Sequence, residues 1–329
     1  MSQKIIKDVD EKRGLVQVTA WDERHYLKPR KNPDTGIPEY LAVPSVTWIT
    51  SYYWKSPYLT KWIADKGYDE AEAIKKAAGD KGSRVHLALE MILSGEEFRI
   101  DTKVLNKTTG EMQELSYEEL LCVKSFLDWK RDTEQDYLIE SIAVEVVVFS
   151  EIHGYAGTVD WVARLTPKPE GKNPFKLGGP TVYVIDHKTS KQVWREHELQ
   201  ISAYRMALEN GENPLFENNS TKIVDLSGLK TAILQVGYDR NKAGYKFTEV
   251  DDAFPLFKVA QQIWKAEVGD NTPGFTKRDF PIVLSPAAKR VEGVTEMANT
   301  ADAVIDTSLV GSTTDMELPV GKKATKKTK

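Results

Sequence analysis

Three β-forming segments in succession constrain this chain most: LIESIAVEVVVFS (138–150), YAGTVDWVARL (155–165) and TVYVIDHKTS (181–190), all dense in Val, Ile and aromatic residues. Segments this apolar belong in the interior of a sheet, so a charged residue inside one must be paired or functional. Glu145, Asp160, Asp186 and Lys188 are such residues. If the second and third segments pair antiparallel about a loop centred near Asn173, Asp160 falls opposite Asp186, with Cα atoms ~4.5–5.5 Å apart. Two carboxylates that close call for a shared proton or a cation, and a divalent metal with oxygen ligands is the common solution. Asp186 and Lys188, two residues apart, project from one face. A surface ion pair would explain that D-x-K alone.

Helices are expected on either side of these strands. In GSRVHLALEMILSG, Val85, Leu89 and Ile92 recur at helical spacing, and His86 shares a stripe with Leu89 and Leu93, so its ring faces inward. A satisfied core histidine is the plain alternative there. Ser116 and Glu119 form a capping box that opens SYEELLCVKSFLDWKRDT, a helix ending before Tyr137. After the third strand, REHELQISAYRMALEN places Glu196, Gln200 and Tyr204 on one side. LKTAILQVGYD and AGYKFTEV read as a hairpin, and DDAFPLFKVAQQIWKAEV as a final helix with Pro255 in its first turn. Upstream, residues 15–44 look like a strand pair, and Trp48, Trp54 and Trp62 are assigned to packing. The fold class expected is α/β: helix, three-stranded antiparallel meander, helix and strand, in a mixed sheet flanked by helices. Residues 1–40 form an N-terminal strand and turn extension, 41–284 the main domain, and 285–329 a disordered tail ending in Lys-rich KKATKKTK.

The 329 residues carry 45 Lys+Arg against 49 Asp+Glu and one cysteine, Cys122. A lone cysteine excludes an internal disulfide, a Cys-rich zinc ribbon and a four-Cys iron–sulfur cluster. The amino terminus lacks the apolar region of a signal peptide, and no run approaches the ~18 apolar residues of a membrane span. A cytoplasmic protein without membrane contact is expected. The net charge of −4 argues against a uniformly basic coat, so any nucleic acid must be met by local patches.

Taken together, these residues resemble the PD-(D/E)XK nuclease superfamily, in its RecB-type and lambda-exonuclease-like branch, often encoded by phages. The resemblance runs from about Pro44 to Asp239 and is carried by GSRVHLALE, the lone Glu of AVEVVV, GYAGTVD, VIDHKTSK and ELQISAYRMAL, in the family's order. It implies a restriction-endonuclease-like core, with Asp160 and Asp186 as metal-binding acids and Lys188 as the active-site lysine. It also implies that His86 and the backbone carbonyl of His187 complete the metal site, that Glu145 contributes to it, and that Gln200 and Tyr204 form the trailing Q-x-x-x-Y motif. Val159 stands where the family's nominal Pro would be, and the four cysteines of its iron–sulfur branch are absent.

The activity implied is that of a Mg²⁺- or Mn²⁺-dependent DNA nuclease, an exonuclease, hydrolysing phosphodiesters with a metal-activated water in phage DNA recombination, replication or processing. Its setting would be the bacterial host cytoplasm, and its partners DNA and a single-strand annealing or single-strand-binding protein. Two alternatives stand beside it: a catalytically inactive DNA-binding or assembly module on the same fold, and a structure-specific endonuclease or RNA-directed nuclease. DNA contacts are expected from the KPRK segment, Arg84, Lys191 and Arg195. The 166–180 loop, for all its lysines, reads as a solvated hairpin end about 17–20 Å from the two aspartates.

Overall fold

The computed structural model describes residues 5–20, 23–34, 36–106, 109–210 and 228–269. The tail expected at 285–329 lies outside the described residues.

The three apolar segments form β7 (Tyr137–Ser150), β8 (Tyr155–Pro167) and β9 (Thr181–Lys188), an antiparallel meander. The register of β8 on β9 is the expected one, running from Trp161↔Ile185 to Leu165↔Thr181 about the Asn173 loop. After β9 the chain crosses through α5 (Arg195–Glu209) to β10 (Lys230–Val236), which pairs parallel to β9, and returns as β11 (Tyr245–Val250), antiparallel to β10. The sheet is therefore mixed, with order β11-β10-β9-β8-β7. A parallel neighbour needs a crossover, and the helix between Lys188 and Lys230 supplies it.

Helices cover both faces. Val159, Val162, Val184 and Ile233 pack with α1 (Val46–Thr50), α5 and α6 (Phe254–Val268), through Ile49, Leu199, Ala203, Phe257 and Trp264. Trp161, Ala163, Ile185 and Leu234 pack with α3 (Tyr68–Leu93) and α4 (Tyr117–Asp136), through Val85, Leu89, Phe126 and Trp129. The capping box at Ser116 and Glu119 is present, and α4 stops at Tyr137, where the backbone turns extended. The helix expected from Gly82 begins earlier, at Tyr68. No helix among the described residues is long and apolar enough to cross a membrane.

The N-terminal segment differs from the expected strand pair. It is a four-stranded antiparallel sheet of β1 (Ile5–Asp10), β2 (Leu15–Ala20), β3 (Glu23–Lys31) and β4 (Pro38–Pro44). Leu15, Tyr26 and Val43 bury against Val147, Phe149 and Ala156 of β7 and β8. A small hairpin, β5 (Lys103–Leu105) with β6 (Met112–Glu114), follows α3. The tryptophans also divide. Trp48 is buried between His25 and Trp264, whereas Trp54 is 77% exposed, beside α2 (Pro57–Lys66), a helix that buries no side chain.

Tyr204 of α5 packs closely on β8 because Gly157 has no side chain: a Cβ there would come to 2.5 Å from the Tyr204 ring. Replacing Gly157 with Ala must move a fully packed tyrosine, and overpacking of this kind costs about 1–3 kcal/mol. Gly157→Ala is expected to lower the urea midpoint accordingly, and an unchanged midpoint would show that Tyr204 yields freely.

Candidate metal centre

Side-chain alternation breaks where the acids sit. In a regular strand, residues two apart share a face, yet Val159 packs into the α1/α5/α6 layer and Trp161 into the α3/α4 layer. On β7, Val146 and Val144 divide in the same way. The paired registers Val146↔Val159 and Val144↔Trp161 bracket Glu145 and Asp160, which face each other at the point of the swap. Glu145 makes the swap possible by adopting φ 48°, a left-handed conformation rare for a residue with a side chain. It aims its carboxylate at Asp160 instead of continuing the ladder.

His86 arrives from α3. Its Nδ1 lies 3.5 Å from Asp160 Oδ2, and its ring lies edge-on to His187, with centroids 6.1 Å apart. His86, Glu145 and Asp160 each offer a ligand atom, all within 4.8 Å of one another. Two carboxylates with one imidazole match the donor preference of Mg²⁺ or Mn²⁺ better than that of zinc, which favours thiolate and several imidazoles. The residues present thus fit a divalent ion.

Asp160 also accepts a 2.8 Å hydrogen bond from the His187 amide. Burial would raise its pKa, but His86, its hydrogen bond, Lys188 and His187 together hold the carboxylate below the usual range. His86 shows the reciprocal effect: burial opposes its charge, and Asp160 outweighs burial and raises it. His187 itself turns into the core between Phe126 and Trp161, and burial pushes it down to about 4. Its ring nevertheless brings Nδ1 to 4.0 Å from Asp160 Oδ2, and its backbone amide makes the shorter contact.

Asp186 and Lys188 lie beside this group, but Asp186 is not one of the three converging ligands. Its position on β9 has the parity of Val184, toward the α1/α5/α6 layer, and its Oδ2 sits 2.6 Å from Lys188 Nζ. Asp186 Oδ1 is buried and accepts no hydrogen bond from any described residue. Burial raises Asp186, and the charge of Asp160 adds to it. Lys188 is raised despite burial, because Asp186 and Asp160 stabilise its ammonium.

Gln200 donates a 3.0 Å hydrogen bond to the Tyr204 hydroxyl, and burial, with Tyr26, Asp186 and Asp160 nearby, raises Tyr204 well above its ordinary value. The trailing pair thus closes the site from the α5 side. Three supporting residues escaped the sequence reading. Gln235 is the lone polar residue late in β10; it is buried, sits opposite Lys188 and donates to the Ser190 carbonyl at 2.8 Å. Burial and the nearby Lys188 depress His197 to about 3. Tyr26 reaches Thr158 Oγ1 at 3.3 Å from the N-terminal sheet, a contact that no local pattern announces.

Most of the residues expected to contact DNA carry an ion pair in the structure. Arg84 makes a bidentate pair with buried Glu119, Lys191 meets Asp239, and Arg195 meets Glu198. In the KPRK segment, Lys28 binds Glu151 and Arg30 binds Glu39. Against known proteins, the sequence matches no family model and no curated protein.

Two outcomes are expected. A left-handed residue with a Cβ costs roughly 1–2 kcal/mol, which glycine avoids. Glu145→Gly should therefore be more stable than Glu145→Ala by about 1 kcal/mol in chemical denaturation, while both lose Mn²⁺ affinity; equal stabilities would mean that the backbone is not strained there. Second, a metal must displace the proton that Asp160 holds on His86. Mn²⁺ affinity should be full above the raised His86 pKa and fall about tenfold per pH unit below it. Titration calorimetry of His86→Gln should show a flatter profile, and an identical slope would refute the linkage.

Proposed function

We propose that this protein is a metal-dependent DNA nuclease of exonuclease type, built on a restriction-endonuclease-like core. The observation that carries this reading is the convergence of His86, Glu145 and Asp160 within 4.8 Å, beside the buried Asp186–Lys188 pair, at the point where two strands exchange faces. An apolar core does not collect three carboxylates, an ammonium and an imidazole unless the cluster is put to use.

His86, Glu145 and Asp160 would hold Mg²⁺ or Mn²⁺, with Asp186 Oδ1 as a further acceptor. When bound, such an ion polarises a phosphate oxygen and lowers the pKa of a water. The chain's own groups do the rest. Lys188 is kept charged by Asp186 and Asp160, which suits an ammonium that steadies negative charge developing on the phosphate, and disfavours a general base. The His187 amide fixes the Asp160 carboxylate from one side while His86 meets it from another. Gln200 and Tyr204 brace the α5 side, and Gln235 anchors the turn after Lys188 at Ser190.

Loss of one charge-stabilising donor slows a reaction by about 10²–10³. Lys188→Ala should reduce Mg²⁺-dependent degradation of linear DNA by at least that factor while circular dichroism keeps the wild-type fold. Asp186→Ala should abolish the activity. Undiminished cleavage in either variant would reject the assignment.

A further inference from the structure

The segment from Ser51 to Gly79, which joins the body through Tyr52, Tyr53, Ala71 and the Lys55–Glu196 ion pair, leaves much of its remaining surface to solvent. Trp54, Tyr58 and Tyr68 are 77%, 83% and 71% exposed, and α2 contributes nothing to the core. Single exposed rings are ordinary, but three along one helix–turn–helix are surface held ready for a ligand. At the root of this arm an open cavity of about 620 Å³ is lined by Arg24, Lys75, Ser45, Thr47, Ser51 and Tyr52, among others. No carboxylate lines it among the described residues.

Burial, with Glu23 and Glu267 nearby, raises the Tyr52 hydroxyl, and Arg24 and Lys75 are the cations in the lining. Lys75 also meets Glu72 at 3.3 Å, an exposed pair one turn apart that competes weakly for its charge. Two cations among hydroxyls suit an oxyanion, and the neighbouring ring faces suit flat, unpaired bases. The arm and the cavity are tied to the metal centre by the fold. Ser45 bridges to Ala156 of β8, roughly 13 Å along that strand from Asp160 at ~3.3 Å per residue. Tyr68 and His86 share α3, roughly 27 Å apart at ~1.5 Å per residue.

We propose that this cleft and arm form a track for single-stranded DNA, with one backbone phosphate against Arg24 and Lys75 and bases stacked on Trp54 and Tyr58. The proposal rests on the nuclease reading and adds to it a strand class and a path. A duplex hides its base faces within its own stack and leaves the exposed rings unused. A protein partner would use the rings but not the cation-lined cavity.

The test is fluorescence anisotropy with labelled oligo(dT) and with a blunt duplex, in EDTA, on the full chain. Trp54→Ala/Tyr58→Ala should weaken oligo(dT) binding by at least about tenfold. Arg24→Ala/Lys75→Ala should weaken it about tenfold at low salt and reduce the salt slope by about one to two. Duplex binding should change little, and melting temperatures should stay at the wild-type value because Trp54, Tyr58, Arg24 and Lys75 are all exposed. Hydrolysis of bis(p-nitrophenyl) phosphate with Mn²⁺ should be untouched in both variants, since neither alters the metal centre. Equal oligo(dT) binding by wild type and both variants overturns the track, as does tighter binding of duplex than of oligo(dT). A wild type that binds no oligonucleotide also overturns it. Variant-sensitive oligo(dT) binding without phosphodiester hydrolysis upholds the track and removes the nuclease reading instead.

Discussion

A carboxylate withdrawn from water is tolerable only where its surroundings replace the solvation it has lost. Asp160 is that carboxylate, and the site is organised around meeting its demand. The His187 amide supplies a hydrogen bond, His86 an opposing partial or full charge, and Lys188 a cation one strand away. The donors come from two other stretches of chain, β9 and α3, so none of these compensations exists until β8, β9 and α3 have packed together. The C-terminal half of α3 packs into the layer of Trp161 through Val85, Ala88 and Leu89, which delivers His86 to Asp160 in the middle of β8.

The exchange of faces on β7 and β8 is the second organising feature. An uninterrupted alternation would have sent Asp160 to one side of the sheet and committed the strand to a two-layer core along its whole length. The break at Glu145 and Asp160 lets the first half of β8 serve the N-terminal sheet and the second half serve α3 and α4. It also leaves two acids at the junction, where neither layer fills the space. A left-handed glutamate is a local cost of about 1–3 kcal/mol, and costs of that kind persist where the surrounding structure over-determines them.

Much of the architecture was legible in the order of residues because it depends on short-range rules. The Ser116–Glu119 box, the stop before Tyr137, the antiparallel pairing of β8 with β9 and the β10–β11 hairpin each follow from capping chemistry, period and loop symmetry. His86, Glu145 and Asp160 were likewise recognisable as polar residues that an apolar context does not want. The misreadings share another cause. Trp54 carries the same helical spacing as Trp48, and periodicity says which residues share a face but not whether another element covers it. Ion pairing is also decided by packing or rotamer rather than by position in the chain, as in the pairs of Arg84, Lys191 and Arg195 with Glu119, Asp239 and Glu198.

The sequence by itself determined the central strands and most of the helices, the register of β8 on β9 and the inventory of polar groups placed in those strands, since each is fixed by interactions between residues close in the chain or mirrored about one loop. Tertiary structure alone decided which of those groups meet, that Gly157 must yield its space to Tyr204, and that a basic cleft opens beneath an uncovered aromatic arm. Those outcomes depend on which surfaces are buried against which, and burial belongs to the assembled layers rather than to any segment of the chain.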